Sequence, residues 1–279
     1  MTAQQRADRC TLAALDRLSL VRGHVVLLWL LPLFAAPARA QTAPDPRTAQ
    51  PERPSVATHA FTVAPGYGEL EVGGEWDHNQ DGTVAWAAPA LLKIGVSRRV
   101  QLDVQTLVVH PAGETIGIIG TAVARKFHIA SGVPILEDVA VQAGVKFPTG
   151  AQPPEFDTTD GSLLLISSHQ HGAFSLDVNV GYIRRSGDGS ATPKNATMAT
   201  ASASWSLPRD FGLGVEVFTY PGTSGRAGGP TTVGLLTGPT YRVNRTCVVD
   251  AGVVLRLRGN YPTSVYAGVT YNLGRLVRP

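Results

Sequence analysis

Beyond residue 60 the apolar positions recur every second residue. In 139–147, Val139, Val141, Ala143, Val145 and Phe147 share one face, while Gln142, Gly144 and Lys146 share the other. The same alternation puts Phe174, Leu176, Val178, Val180 and Tyr182 against Ser175, Asp177, Asn179 and Gly181. It also puts Val249, Ala251, Val253, Leu255 and Leu257 against Asp250, Gly252, Arg256 and Arg258. In 265–273 it sets Val265, Ala267, Val269, Tyr271 and Leu273 against Gly268, Thr270 and Asn272. Successive side chains on a strand point to opposite sides, so this period is the signature of β-structure with two unlike faces. Weaker versions lie at 68–77, 85–97, 100–110, 197–207, 211–220 and 231–243, and 115–128 and 161–170 are the least regular. The pattern predicts about twelve strands of roughly 10–14 residues, longer than the five or six usual in soluble sheets.

The connections alternate too. Segments near 78–84, 110–114, 148–160, 185–195, 221–230 and 259–262 are mostly longer and rich in Gly, Pro, Asp and Ser. The joints near 97–99, 170–172, 207–210 and 243–245 are tight, and 128–134 is intermediate. A bilayer-spanning strand needs about 9–11 tilted residues, and outer-membrane barrels pair short periplasmic turns with long outer loops. We therefore expect an all-β fold, a transmembrane antiparallel β-barrel of about twelve strands. The competing architecture is a soluble sandwich with one solvated face.

Alternation assigns the charged residues to the inside. Glu71, Lys93, Asp103, Lys146, Asp177, Glu216, Arg242, Asp250, Arg256 and Arg258 are the candidate pore-lining residues, with Glu69, Glu75 and Asp77 on the same face. Soluble barrels of this size fill their interior with Val, Ile and Leu. Charges inside and apolar side chains outside is the arrangement that lipid demands.

Residues 25–36 read VVLLWLLPLFAA, preceded by Arg17 and Arg22 and followed by Ala38-Arg39-Ala40. Twelve apolar residues are too few to span a bilayer as a helix. With basic residues before and A-x-A after, the run reads as a signal peptide cleaved after Ala40. The predicted organisation is a signal peptide over 1–40, a Pro-rich disordered lead-in over 41–60 and the barrel over 61–279. Only Cys247 remains after cleavage, so no internal disulfide forms.

Composition excludes several classes. Charged residues are 16% of the chain, against 43% hydrophobic, with 30 Gly and 20 Pro. That is neither a disordered polyelectrolyte nor a coiled coil. The net charge is +3, and residues 1–40 carry all of it, with five Arg against Asp8 and Asp16. The body is neutral, which leaves no footprint for nucleic acid.

Three segments resemble a known family. Val145-Lys146-Phe147-Pro148-Thr149-Gly150 is similar to the "lysine, apolar, Pro-Thr-Gly" signature of outer-membrane proteins grouped under the meta-pathway of phenol degradation. The closing pair over 248–275, with Asp250-Ala251-Gly252 and then Ala267-Gly268-Val269-Thr270-Tyr271, resembles that family's final hairpin. Asp177-Val178-Asn179-Val180-Gly181-Tyr182 resembles its central strand. The resemblance covers roughly 67–275. It implies an outer-membrane barrel transporting aromatic or other hydrophobic compounds. The chain departs from common barrels in ending Leu276-Val277-Arg278-Pro279, without a terminal aromatic residue.

Other motifs add less. Asp77-His78-Asn79-Gln80-Asp81-Gly82 matches the first half of a calcium loop, but position 12 falls on Ala88, which cannot bind; a polar hairpin turn accounts for the same residues. His169-x-His171 has no obvious third ligand, and Ser167, Ser168 and His169 lie outside any G-x-S-x-G elbow. No cofactor, metal or catalytic residue is expected. Trp76, Trp86, Trp205, Tyr182, Tyr220, Tyr241, Tyr266 and Tyr271 are expected in interfacial girdles. The function expected is passive uptake of small solutes, hydrophobic or aromatic ones included, with outer-membrane lipid and the barrel-assembly machinery as partners. The alternative is a closed structural or partner-binding barrel without transport. On the same register, a new carboxylate at Gln142 should be mild.

Overall fold

The structure, a computed structural model, describes residues 45–111, 113, 115–149 and 158–277. The expected signal peptide and its cleavage site lie outside these residues. Twelve antiparallel strands close into a barrel in which each strand pairs with its neighbours in sequence and the first with the last. They are β1 (Tyr67–His78), β2 (Val84–Ser97), β3 (Val100–His110), β4 (Gly117–Val133), β5 (Glu137–Phe147), β6 (Asp160–His171), β7 (Phe174–Arg185), β8 (Asn195–Ser206), β9 (Phe211–Tyr220), β10 (Thr232–Asn244), β11 (Cys247–Arg258) and β12 (Thr263–Arg275). The least regular stretches of sequence are therefore strands as well, β4 and β6. No described helix is long and apolar enough to cross a membrane; the crossing is made by strands.

Closure removes the sheet edges, so the backbone needs no partner from lipid. One rim carries the tight turns, at 98–99, 134–136, 172–173, 207–210 and 245–246. The other carries the longer loops, of which 148–159 and 221–231 are the largest. By the usual asymmetry of such barrels the first rim is periplasmic and the second external.

The outer surface is what lipid requires. Val178, Val180, Leu165, Val217, Leu255, Val265 and Leu273 are exposed apolar side chains on outward positions. Two belts of rings flank them. Trp76, Trp86 and Tyr182 sit toward the long-loop rim, and Trp205, Phe211, Tyr241 and Tyr271 toward the short-turn rim. Phe174 with Trp205 and Phe211 with Tyr241 make contacts within the second belt, at ring separations of 5.3 and 4.9 Å. Amphipathic rings belong at this depth. Tyr220 and Tyr266 do not join the belts, contrary to expectation. Tyr220 shares the inward face of β9 with Glu216 and Phe218, and Tyr266 shares that of β12 with Ser264 and Thr270. Their own alternation decides the side, and being near a strand end does not override it.

Candidate functional site

The lumen is not empty. Residues 45–66, whose first part was expected to be a disordered lead-in, form an ordered segment inside the barrel. It starts at the short-turn rim, where Asp45 pairs with Arg245 at 2.6 Å and the Ala49 N–H donates to the Arg245 carbonyl. It then climbs. The Gln50 N–H donates to Glu69 and the Glu52 N–H to Glu71, each at 2.8 Å. At the apex Arg53 lies across β1 and β12, in a groove made by the paired glycines Gly73 and Gly268. A Cβ on Gly73 would stand 2.2 Å from the guanidinium.

The chain then crosses and descends. Glu216 accepts from the Ser55 hydroxyl at 2.5 Å and from the N–H groups of Val56 and Ala57. Asn179 both accepts from the Thr58 N–H and donates to the Thr58 carbonyl. Ser168 takes the Ala60 N–H, and Gln101 takes the Val63 N–H. The segment leaves over Gly95, where only glycine admits the carbonyls of Val63 and Ala64. A chain without sheet partners must find acceptors for its buried N–H groups or lose several kcal/mol. Here inward carboxylates, amides and hydroxyls supply them. That is why a Pro-rich polar stretch, with no apolar pattern of its own, is ordered.

Two lysines hold the short-turn half together. Lys93 is fully buried and lies 2.6 Å from both Glu69 and Glu71, and it also donates to the Gln50 carbonyl. Lys126, equally buried, pairs with Glu52 and donates to the Thr58 hydroxyl and the His59 carbonyl. Lys126 is not among the residues that alternation marks as inward, because Arg125-Lys126 blurs the period of β4. Arg125 is on the outward face, its guanidinium 4.2 Å from the Phe127 ring, and only Lys126 turns inward.

The ten candidate residues do not form one ring. Glu71, Lys93, Glu216 and Asp250 face the segment, Asp250 at 3.8 Å from Arg53. Arg242 reaches the Ala49 carbonyl at the short-turn rim. Asp103 accepts from Gln101 and Gln142, both at 2.8 Å, and Asp177 accepts from Ser168 at 2.5 Å. Arg256 donates to the Tyr261 carbonyl. Lys146 pairs with Asp160 at 3.1 Å near the long-loop rim, and Arg258 is exposed at the end of β11.

Above the segment lies a cavity of about 340 Å³. Its floor is Glu52–Thr58. One wall, from β1 to β5, presents Glu71, Glu75, Asp103, Gln105 and Gln142 with Pro89, Leu91, Ala122 and Ala124 between them. The facing wall presents Leu164, Phe218, Leu236, Val254, Tyr261 and Tyr266. Rings pack densely there: Phe218 and Tyr261 have centroids 5.1 Å apart, and Tyr220 stacks on Tyr261. Gly234, Gly238 and Gly252 leave room for this, since a Cβ at each would collide with Phe218 or Tyr266. Such a vestibule can hold a small amphipathic molecule.

Residues 52–272 match the family described as the MetA-pathway of phenol degradation. The chain belongs to this family. Among curated proteins none matches the chain. A crystal structure of an outer membrane channel from Pseudomonas putida F1 is similar, with a TM-score of 0.61 at 10% identity over 77% of this chain and 98% of that one. The KdgM porin gives 0.51 at 12% identity over 73% and 98%. At these identities the likeness is one of fold. Together with the closed ring and its apolar outer surface, it makes this family member an outer-membrane barrel.

The remaining motifs have local roles in this family member. Asp81 accepts the Thr83 hydroxyl and N–H at 2.7 and 3.0 Å, and Asn79 also binds the Thr83 hydroxyl. Those Thr83 bonds hold the Asp81 carboxyl below its ordinary range. Asp77 points away from this turn to the Ser264 hydroxyl. The half-motif is thus a hairpin with Gly82 at positive φ. His169 lies between Ser167 (3.1 Å) and Glu137 (3.8 Å), a sequence of groups that superficially suits acyl transfer. Ser167 is nonetheless buried, and its hydroxyl donates to the Leu136 carbonyl. The cluster pins the turn 134–136 and the start of β5, where Ile135 and Glu137 adopt positive φ.

Proposed function

We propose that this barrel is a passive outer-membrane channel for small amphipathic solutes, aromatic ones included, with residues 45–66 as its internal gate. The observation that carries the reading is the two-walled cavity standing directly on the segment: a solute entering from the long-loop rim meets a polar wall, an aromatic wall and a floor made of a single non-sheet chain. Glu71 and Asp103 act along this route, and Lys93, Arg242, Glu216 and Asp250 secure the floor. A segment held by side-chain bonds, not by a sheet ladder, is a movable element, and local opening is the kind of motion such elements undergo.

The second reading is a closed barrel without transport. In its favour stands the number of anchors along the segment, from Asp45 to Gly66. A reversible lock separates the two. Thr58 and Asn179 exchange two hydrogen bonds. In a Cys247→Ser background, Thr58→Cys with Asn179→Cys should form a disulfide. We expect discrete single-channel currents in planar bilayers when it is reduced and silence when it is oxidised. Silence in both states, with a folded and inserted protein, supports the closed barrel.

A further inference from the structure

We infer that the cavity above the internal segment is a binding site for a small organic cation with an aromatic body, a protonated aromatic amine being the simplest. The inference rests on the reading of this cavity as a solute vestibule and names its substrate class.

The charges around the cavity are unequal. Glu52, Glu71, Glu75 and Asp103 line it, and Arg53 is the one basic residue among the described lining residues. That guanidinium is tucked into the Gly73–Gly268 groove on the side of Asp250. Lys93 and Lys126 are spent below the floor, on Glu69 and Glu71 and on Glu52. No described Lys or Arg comes within ion-pair distance of Glu75 or Asp103. Glu71, 1% exposed, keeps one carboxylate oxygen without a hydrogen-bond partner among the described residues.

The second observation is independent of charge. Glu75 and Tyr266 are register partners across β1 and β12. Tyr266 is buried with Phe218, Leu236 and Val254, and Tyr220 and Tyr261 pack on that group. A carboxylate therefore stands beside the rim of an aromatic cluster. Ring faces attract cations and the carboxylate neutralises them. An anion would meet Glu75 and Asp103, which no described cation pairs, and a neutral solute would bring no charge to offset them. A cation with a flat apolar body satisfies both walls at once.

The test uses the full barrel folded in detergent, with benzylammonium, benzyl alcohol and benzoate as isosteric probes in calorimetry. Benzylammonium should bind at least about tenfold tighter than either of the others, a ratio of ordinary size for a desolvated cation–π and ion-pair contact. Glu75→Gln should remove most of that preference, and Tyr261→Leu should weaken benzylammonium while leaving benzoate as poor as before. Heat-modifiable gel mobility checks that each variant is folded. Equal binding of the alcohol, or an undiminished preference in Glu75→Gln, overturns the inference. Channel recordings are read separately: a barrel that binds benzylammonium but never conducts defeats the transport reading and leaves the site standing.

Discussion

The two halves of the lumen are built from the same twelve strands and the same alternation, yet they end in opposite states. Toward the short turns every inward charge has an answering group. Lys93 bridges two carboxylates, Lys126 takes Glu52, and Glu216 collects three donors from the segment. Toward the long loops Glu75 has no cationic partner among the described residues, and the opposite wall is aromatic. The difference comes from one stretch of 22 residues, 45–66, that fills one half and stops. Inward polarity alone therefore says nothing about whether a barrel is open; it says only that the interior can solvate something, be it water, a solute or the chain itself.

The sharpest way to break this contrast is Lys93→Met. The change removes the shared cation and leaves Glu69 and Glu71, both almost fully buried, without it. Orphaned buried charges cost about 3–5 kcal/mol. Denaturant unfolding in detergent, followed by gel mobility, should show a loss of that size. A loss under about 1 kcal/mol would mean that the short-turn half is as wet as the other.

Next is Glu216→Ala. It withdraws the acceptor from Ser55, Val56 and Ala57, and buried donors without partners cost about 1–3 kcal/mol each, less where water enters. We expect the barrel to survive and the segment to loosen. Amide exchange at 55–60 should accelerate strongly while the β-strand amides stay protected. Uniform acceleration would show that segment and barrel unfold as one unit. Gly73→Val follows in size. Its side chain would displace the Arg53 guanidinium and press on the Ala267 carbonyl 2.8 Å from the new Cβ, which cannot give. Overpacking of this sort costs about 1–3 kcal/mol, and Arg53 should become accessible to guanidine-directed reagents.

Much of this molecule was legible in the sequence. Strand number, the inward face and both classes of turn follow from period two, because a slip of one residue would turn every charge to lipid. What escaped notice did so for identifiable reasons. Residues 45–60 carry no period, and their barrel partners lie 19 to 226 positions away, from Glu69 to Asn272, so no local pattern announces them. Lys126 was hidden by its neighbour Arg125, one charge on each face. Tyr220 and Tyr266 were assigned to the girdles by type and depth, although Glu216 and Thr270 on the same strands already marked their side as inward. The division between the candidate residues that hold the segment and those that line the cavity depends on where the segment ends.

The smallest effect is expected from Gln142→Asp, in the half that the segment leaves open. The wild-type amide donates to Asp103 at 2.8 Å, so the variant loses that bond and sets a second carboxylate against the first. In a dry interior two like charges at this distance would be prohibitive, but in a water-filled cavity the repulsion falls to about 1 kcal/mol. Period two alone predicts a mild outcome because the residue faces inward; a cavity of about 340 Å³ has room for the water that would screen the pair, and only this second argument makes Gln142→Asp far milder than Lys93→Met. Unfolding of the two variants side by side decides between them. Equal losses would mean that the long-loop half is as dry as the plugged one, and the contrast between the halves would then be one of shape, not of solvation.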